Sequence, residues 1–207
     1  NCDAASDVTY IDDESGLTAC NSTGQIIRTW TVTDACNNAS TCEQIITVED
    51  IIVPTITCPD DTTIYLDGSC AFDDDPSITG NPIVADNCDS NPVVTFVDDE
   101  SGLTGCNTTG QIIRTWTVTD ACNNLSTCEQ IITVEDIIVP TITCPDDTTI
   151  YLDAGCAFND DPNLTGNPIV ADNCDVAPIV TYVDDESDLT GCNGTGQIIR
   201  TWTVTDA

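Results

Sequence analysis

Basic residues are almost absent from this chain of 207 residues, which has 36 acidic side chains, three basic ones and a formal net charge of -33. Histidine, lysine and methionine are missing altogether. Because like charges repel, such a chain is a poor partner for nucleic acids and anionic membranes. Without histidine no Ser-His or Cys-His nucleophile pair can form, and no phosphate-cradling glycine loop is present. We therefore expect neither a nucleic-acid binder nor an enzyme.

Long apolar runs are also lacking, since no stretch approaches the ~20 residues needed to cross a bilayer. Nothing at the amino terminus resembles a signal peptide, and we expect export signals elsewhere in a longer protein. Hydrophobic residues nonetheless make up 40% of the chain, in short runs rich in Ile, Val, Thr and Tyr. This composition indicates strands rather than disorder. The fourteen cysteines indicate an oxidising, extracellular location, and no CxxC spacing suggests zinc.

The most informative feature is an internal repeat. The segment TGQIIRTWTVTDA begins at positions 23, 109 and 195, a period of 86 residues (109 - 23 and 195 - 109). Residues 23–67 and 109–153 differ only at Ala39 and Leu125. Because a fold alone tolerates wide sequence drift, this near-identity indicates a tandem array of equivalent units.

The segment IIVP, at residues 51–54 and 137–140, marks the boundaries of these units. Its proline fixes φ and stops the preceding strand from continuing. We therefore expect three repeats: residues 1–53, which lack the start, residues 54–139, which are complete, and residues 140–207, which lack the end.

The complete repeat consists of short β-branched and aromatic runs separated by Asp, Asn, Gly and Pro clusters, without a helical period. Six of these runs are predicted strands, at residues 56–58, 62–66, 82–85, 92–97, 111–119 and 128–134. So many short strands in so few residues predict an all-β fold of tandem immunoglobulin-like β-sandwich repeats. Trp116 and Val118 share one face of their strand, and we assign that face to the core.

Arg114 is the sole cation of the complete repeat, and it falls on the same face as Trp116. One interpretation is an arginine that grips a ligand. The other is a structural arginine near the rim that stacks on Trp116 or pairs with a carboxylate, and this interpretation is favoured.

The motifs ITCPDD, ADNC, RTWTVTDACNN, STCEQ and ITVED together resemble the HYR (hyalin repeat) domain family. The closest resemblance is to the versions joined in tandem in giant surface proteins of Bacteroidota, such as the SprB-like gliding adhesins exported by type IX secretion. The resemblance covers the whole chain and implies HYR-type immunoglobulin-like domains, a cell-surface location and a role in adhesion or extension. It implies no enzymatic activity. The chain departs from simpler repeats of the family in the added cysteines Cys70 and Cys106.

Six cysteines in the complete repeat allow fifteen pairings. In a sandwich of this kind the first and last strands lie side by side and parallel, which predicts Cys58–Cys128. The ADNC and TDAC loops share a pole, which predicts Cys88–Cys122 and leaves Cys70–Cys106. The scheme extends to the flanking repeats as Cys2–Cys36 and Cys156–Cys192, with the partner of Cys174 outside the chain.

A competing scheme pairs neighbours in sequence, Cys122 with Cys128 and Cys58 with Cys70. It is less favourable because a disulfide that closes a short loop stabilises the folded state less. Closing the long Cys58–Cys128 loop contributes roughly 4 kcal/mol of stability in the chain-entropy model.

Carboxylates near the repeat boundaries are a candidate calcium site, since Ca²⁺ takes six to eight oxygen ligands. We expect the end of one repeat to meet the pole at which the next repeat begins. At the first boundary the candidate ligands are Glu49, Asp50, Asp86, Asn87, Asp120 and Asn123. At the second they are Glu135, Asp136, Asp172, Asn173 and Asp206. The alternative is a solvated acidic surface that maintains solubility.

Other acidic runs and sequons are less specific. The runs at residues 73–75 and 98–100 could in principle supply glycosidase carboxylates, but a tandem enzyme seldom repeats its active site, so we expect exposed loops. Six N-x-Ser/Thr sequons are candidates for glycosylation or chance matches. The family resemblance implies O-linked sugar at Thr62 and Thr148, because each follows an aspartate in the matching motif.

These observations favour a structural or adhesive region of an extracellular cell-surface filament, whose expected partners are neighbouring repeats of the same chain. The alternatives are carbohydrate-binding modules that hold surface glycans and a self-assembling matrix or sheath fibre of several filament copies. Few aromatics per repeat speak against the glycan-binding alternative.

Overall fold

The computed structural model describes residues 7–105, 108–191 and 194–206. These residues form thirteen strands and three short helical turns, so the fold is mostly β. The strands are β1 (Asp7–Gly16), β2 (Gly24–Thr33), β3 (Ala39–Val48), β4 (Thr55–Thr57), β5 (Thr62–Tyr65), β6 (Ile83–Ala85), β7 (Val93–Gly102), β8 (Gly110–Thr119), β9 (Leu125–Glu135), β10 (Thr141–Thr143), β11 (Ile169–Ala171), β12 (Ile179–Asp185) and β13 (Ile199–Thr205).

All six strands predicted for the complete repeat are present, as β4 to β9. The helical turns were not predicted: α1 (Pro76–Thr79), α2 (Pro162–Thr165) and a 3-10 turn at Cys20–Ser22. Both α-helices begin at a proline, which suits the first helical position because its missing N–H would have no partner there. A single turn of helix is too short to show an apolar period, so the sequence pattern did not reveal it.

Hydrogen bonding divides the strands into five small sheets within the described residues. The largest has the order β5-β9-β8-β7, and β1-β2-β3 form a three-stranded sheet. Three two-stranded sheets consist of β4-β6, β10-β11 and β12-β13. The pairing is antiparallel for β1-β2, β2-β3, β4-β6, β10-β11 and β12-β13 and parallel for β5-β9.

The chain divides into two compact units, each built from segments that are distant in sequence. One unit contains residues 1–60, 80–99 and 114–130, and the other contains residues 61–79, 100–113 and 131–207. The complete sequence repeat contributes segments to both units, so units and repeats do not coincide. The repeat boundaries after residues 53 and 139 stay a prediction from the sequence.

Strand β8 shows how the repeated segment forms a core. Its residues alternate between the two faces, and the buried set is Ile112, Arg114, Trp116 and Val118. Trp116 is 2% exposed and Val118 is 0% exposed, which confirms the predicted core face. Because successive strand residues point to opposite sides, the intervening residues are more accessible.

The main apolar cluster lies in the second unit. It consists of Ile64 and Leu66 at β5, Ile112 on β8, and Ile132 and Val134 on β9, with one further residue, Cys174, from the third repeat. Phe72 and Leu103 pack against its edge. The core of the complete repeat therefore includes a side chain that the sequence assigned to the next repeat.

Candidate functional site

Three disulfides lie among the described residues, and two of them join different sequence repeats. Cys58–Cys128 lies within the complete repeat. Cys20–Cys122 links the first repeat to the second, with a sequence separation of 102. Cys70–Cys174 links the second to the third, with a separation of 104.

The Cys58–Cys128 bond, predicted from the sequence, is present and follows from parallel strand pairing. Thr62 on β5 lies opposite Ile132 on β9, an offset of 70 residues, and the disulfide has the same separation of 70. Between these points the side-chain amide of Gln130 donates to the Asp60 carbonyl, 3.0 Å away. The register thus continues from the strands to the cysteines and brings their Cα atoms to 5.9 Å.

The Cys20–Cys122 bond joins two turns. Cys20 lies in the 3-10 turn after β1, and Cys122 lies in the turn after β8. The Asp120 carboxylate organises the second turn, since its Oδ1 accepts hydrogen bonds from the N–H groups of Cys122 (2.8 Å) and Asn124 (2.7 Å). The Asn124 side-chain amide also donates to the Asp50 carbonyl at 3.1 Å, so a second contact joins the first and second repeats.

The Cys70–Cys174 bond joins a left-handed turn to the apolar cluster. Cys70 has φ of 59°, and its N–H donates to the Asp67 carbonyl at 2.9 Å. The Asn173 amide donates to the same carbonyl at 3.2 Å. Cys174 is only 7% exposed because it packs among the apolar residues of β5, β8 and β9. This bond is therefore supported by burial and by a hydrogen bond.

The remaining predicted pairs need correction. Cys88–Cys122 is wrong because Cys122 bonds to Cys20, and Cys88 is free. Cys70–Cys106 is wrong, and so is the placement of the partner of Cys174 outside the chain, because Cys70 and Cys174 bond to each other. Both the cysteine types and the repeat were wrong in these pairs. Cys122 bonds to the type of Cys20 and Cys106, and Cys174, the equivalent of Cys88, bonds to the type of Cys70, each in the preceding repeat. The physical reason is that the turn that carries Cys122 contacts the end of the first repeat as well as its own repeat, through Asn124 and the Asp50 carbonyl. The competing scheme, Cys122–Cys128 and Cys58–Cys70, is also wrong.

Two further predicted pairs include residues outside the described ranges. Cys36 and Cys156 have free thiols, and their predicted partners Cys2 and Cys192 lie outside the described residues, as does Cys106. In the part of the chain that the structure describes, the free cysteines are Cys36, Cys42, Cys88, Cys144 and Cys156, and all five are exposed.

Three predicted calcium ligands come together at the boundary of the first and second repeats. Asp50, Asp86 and Asp120 each place a carboxylate oxygen within 4.8 Å of the others. Asp120 is 5% exposed, and the other two are half-buried. Turn hydrogen bonds hold each carboxylate: Asp86 Oδ2 accepts from Cys88 N at 2.9 Å, and Asp50 Oδ1 accepts from Ile52 N at 3.1 Å.

The opposite oxygens of this cluster have no such partner. Asp50 Oδ2 and Asp86 Oδ1 are both buried, and neither accepts a hydrogen bond from a described residue. Hydrogen bonds from the N–H groups of Asp89 and Cys88 lower the pKa of Asp86 below its ordinary value. The Cys88 thiol lies beside this cluster, and desolvation, the charge of Asp50 and close approach to the Asp50 carboxylate raise its pKa. The cluster thus combines negatively charged carboxylates with two buried oxygens that no hydrogen bond from a described residue satisfies. This arrangement favours binding of a hard cation such as Ca²⁺.

The other predicted ligands lie elsewhere. Glu49, Asn87 and Asn123 are exposed, and Glu49 is not a member of the acidic cluster. A role for the Asn87 and Asn123 amide oxygens as ligands stays a prediction. At the second boundary Asp136 is half-buried, while Glu135 and Asp206 are exposed. Asp172 Oδ1 and Asn173 Oδ1 are buried without a hydrogen-bond partner among the described residues. Only the first boundary brings three acidic ligands together within the described ranges.

Each arginine forms an ion pair with an aspartate, in agreement with the favoured interpretation of Arg114. Arg114 donates from Nε and Nη2 to both oxygens of Asp98, at 2.7 and 2.8 Å, and its guanidinium lies 4.4 Å from the Phe96 ring centroid. At 1% exposed, however, it is buried rather than near the rim. Arg28 with Asp12 and Arg200 with Asp184 repeat this geometry.

The predicted O-glycosylation positions have different surroundings. Thr62 is half-buried on β5, whereas Thr148 is exposed outside any strand. Modification at either residue stays a prediction.

The described residues include no helix that is both long and apolar enough to span a bilayer. The three disulfides indicate a non-cytoplasmic location, since thiols are kept reduced in the cytosol. No family model and no curated protein matches the sequence of the chain.

Proposed function

We propose that this chain is a structural and adhesive repeat region of an extracellular cell-surface filament or stalk, built from immunoglobulin-like units. The observation that carries the proposal is the pair of disulfides between consecutive sequence repeats, Cys20–Cys122 and Cys70–Cys174. The peptide backbone already joins the repeats, and these added bonds limit how far the chain can extend under load, which is what a mechanical element requires. Near-identical repeats add length without adding new specificity.

The glycan-binding alternative has less support. Carbohydrate sites commonly use exposed aromatic rings, yet Trp116 is 2% exposed and lies 5.0 Å from the Phe96 ring in a tilted pair. Arg114 lies over both rings, although Phe96 remains 42% exposed. The glycan-binding alternative therefore rests on the exposed Tyr65 (51%) and Tyr151 (83%) and not on the Trp116 cluster. A glycan array probed with the oxidised chain tests this alternative, and selective binding would favour it over the mechanical role.

The mechanical role is tested by stretching single molecules of the 207-residue chain from its two ends. With all three bonds intact, the shortest covalent path runs through residues 1–20, 122–128, 58–70 and 174–207. A chain extends by at most about 3.3–3.6 Å per residue, so the oxidised molecule is expected to reach roughly one third of the reduced length.

Alkylation of the free thiols before the measurement provides the control, because it prevents new bonds between molecules. Equal final lengths with and without reductant would contradict the proposal.

We further propose that Ca²⁺ binds at Asp50, Asp86 and Asp120 and stiffens the boundary between the first and second repeats. The carrying observation is the two buried carboxylate oxygens without hydrogen-bond partners, Asp50 Oδ2 and Asp86 Oδ1. A divalent cation would satisfy both oxygens and offset the repulsion among three carboxylates. Since the pKa of Asp86 is lowered, that carboxylate stays ionised at mildly acidic pH.

Calorimetric titration with Ca²⁺ and thermal melting test this site. We expect Ca²⁺ to raise the melting temperature more than NaCl of equal ionic strength. Asp86→Asn keeps an oxygen for the N–H groups of Cys88 and Asp89 but removes the charge, so it is expected to abolish the Ca²⁺-specific increase. Glu129→Gln removes the same charge at an exposed residue and is expected to keep it. Equal responses in the two variants, or no Ca²⁺-specific increase at all, would contradict the site.

A further inference from the structure

The six bonded cysteines define a pairing rule for the tandem array. One cysteine type pairs with the cysteine 70 residues later, as in Cys58–Cys128. A second type pairs 102 residues later, as in Cys20–Cys122, and a third pairs 104 residues later, as in Cys70–Cys174. Because the period is 86 residues, the first offset remains inside a repeat and the other two reach the next repeat.

Each free cysteine of the described residues is an 86-residue equivalent of a bonded one. The pairs of equivalents, with the free residue first, are Cys36 and Cys122, Cys42 and Cys128, Cys88 and Cys174, Cys144 and Cys58, and Cys156 and Cys70. Under the rule, the partners of Cys36, Cys42 and Cys88 would precede residue 1. Those of Cys144 and Cys156 would follow residue 207.

The bonded cysteines are also more buried than their free equivalents. Cys174 is 7% exposed, whereas its equivalent Cys88 is exposed although both occupy the sequence ADNCD. Cys122 is half-buried, and its equivalent Cys36 is exposed. Since the local sequence is the same, the difference comes from the adjoining repeat and not from the cysteine's own segment.

We propose that Cys36, Cys42, Cys88, Cys144 and Cys156 are disulfide sites whose partners are cysteines of adjoining repeats at these three offsets. Each boundary between two complete repeats then carries two disulfides, in addition to one inside each repeat. The inference deepens the proposed structural role. It rests on that role in one respect only, the assumption that further repeats adjoin this chain. No thiol of this set is left for metal binding or catalysis in a longer array.

The chemistry of each bond is an ordinary oxidation. Two S–H bonds break and one S–S bond forms, while two protons and two electrons pass to a disulfide oxidant, which is reduced to two thiols. A small-molecule disulfide such as oxidised glutathione supplies this oxidant in the test, through a mixed-disulfide intermediate.

The test compares three chains under the same oxidising buffer. The first is the 207-residue chain, the second has residues 122–207 appended after residue 207, and the third has residues 1–86 placed before residue 1. Thiols are alkylated without reduction, and peptides are mapped after digestion at acidic residues, because the chain has only three basic residues. Each added segment is made from isotopically labelled protein and ligated to the chain, so its peptides differ in mass from the identical peptides of residues 1–207. Within residues 1–207, Gly68 near Cys70 and Ala154 near Cys156 distinguish two of the copies. Cys58 and Cys144 lie in identical acid-cleavage peptides, so the alkylated chain is later reduced and cleaved at Arg114 before the acidic digestion.

In the 207-residue chain we expect alkylation at all five cysteines. Appending a repeat is expected to protect Cys144 and Cys156 and to leave Cys36, Cys42 and Cys88 reactive. Placing a repeat in front is expected to do the reverse. The two extended chains therefore serve as controls for each other.

Alkylation of Cys156 in the appended chain, or a Cys156–Cys192 peptide in any chain, would overturn the inference. So would loss of labelling at all five cysteines in both extended chains, since this indicates pairing without a rule. A failure of the stretching experiment would leave these labelling patterns unchanged, so the two proposals fail separately.

Discussion

Arg28, Arg114 and Arg200 occupy the same position in three copies of one strand, yet their surroundings differ. Each faces an aspartate 16 residues earlier and lies over an aromatic ring at 4.3 or 4.4 Å. The side chain of Arg114 is 1% exposed, whereas that of Arg28 is 26% exposed. A salt bridge is more sensitive to loss of one partner when water cannot replace it.

Replacing Arg114 with methionine is therefore expected to destabilise the chain by about 3–5 kcal/mol, because the Arg114 site is closed to water and Asp98 would lose its partner without replacement. Arg28→Met is the matched control, since its sequence neighbours are the same and its site is 26% exposed, so water can take the place of the guanidinium. We expect a much smaller change in the urea midpoint for this variant. Equal shifts would show that burial does not set the strength of these pairs.

The same pairs predict a dependence on pH. Hydrogen bonds from Arg28 and Arg200 hold the pKa values of Asp12 and Asp184 below the ordinary value of 3.8. Because the folded-state pKa is depressed, each pair stabilises the fold above the unfolded pKa and loses this contribution as the pH falls through the folded one. We expect urea midpoints to fall below about pH 4. In an Arg200→Met variant this decline is expected to be smaller, and an unchanged decline would contradict the assignment.

Strands β2 and β8 have the same sequence, GQIIRTWTVT, but differ in how far their side chains are buried. In β8 four residues of one face are buried, whereas β2 has no buried residue. The strands β3 and β9 differ in the same way, since Ile132 on β9 is 0% exposed and its equivalent Ile46 is half-buried. β9 has the parallel neighbour β5, whereas β3 pairs with β2 alone among the described strands.

Truncation of Ile132 to alanine is expected to cost about 2–5 kcal/mol, because it leaves a cavity in the apolar cluster. Ile46→Ala removes the same atoms from the same local sequence at a more accessible position. We expect a clearly smaller shift in the denaturation midpoint, measured with both variants in the full chain. If the two shifts are alike, the burial difference has no energetic consequence.

Local pattern was sufficient to predict the strands of the complete repeat and the core face at Trp116, because alternation and β-branched runs are properties of a short segment. It was not sufficient for the cysteines. Cys106 and Cys20 have nearly the same neighbours in sequence, so nothing local indicates which repeat supplies the partner of Cys122. The acidic cluster was partly predictable, since its three aspartates were among the proposed ligands. The exposed Glu49 was proposed with them because the sequence does not show which carboxylates of adjacent turns face one another.

At the scale of the whole molecule, the three disulfides overlap along the chain. Cys58–Cys128 begins inside the loop closed by Cys20–Cys122, and Cys70–Cys174 begins inside both. Every peptide bond between residues 20 and 174 is therefore spanned by at least one disulfide. Such overlap is a property of the array and not of any single repeat.

Limited digestion with a protease specific for acidic residues is expected to cut exposed loops without releasing large pieces. On a non-reducing gel the nicked chain should migrate as one species, and on a reducing gel it should separate into fragments. In a Cys70→Ala variant, cuts between residues 128 and 174 are expected to release the carboxyl-terminal piece, whereas cuts between residues 20 and 128 are not. Separation of the part that contains Cys20 from the part that contains Cys174 after a single cut in the unreduced parent chain would refute the overlap.

The overlap of the three bonds also changes what damage means for such a protein. In an ordinary domain string, one scission severs everything beyond it. Here a single cut between Cys20 and Cys174 leaves the two sides joined by at least one disulfide. Three cuts in different intervals are needed to separate Cys20 from Cys174 while the bridges are intact. The working lifetime of the proposed filament would therefore depend on the local redox state as well as on cleavage.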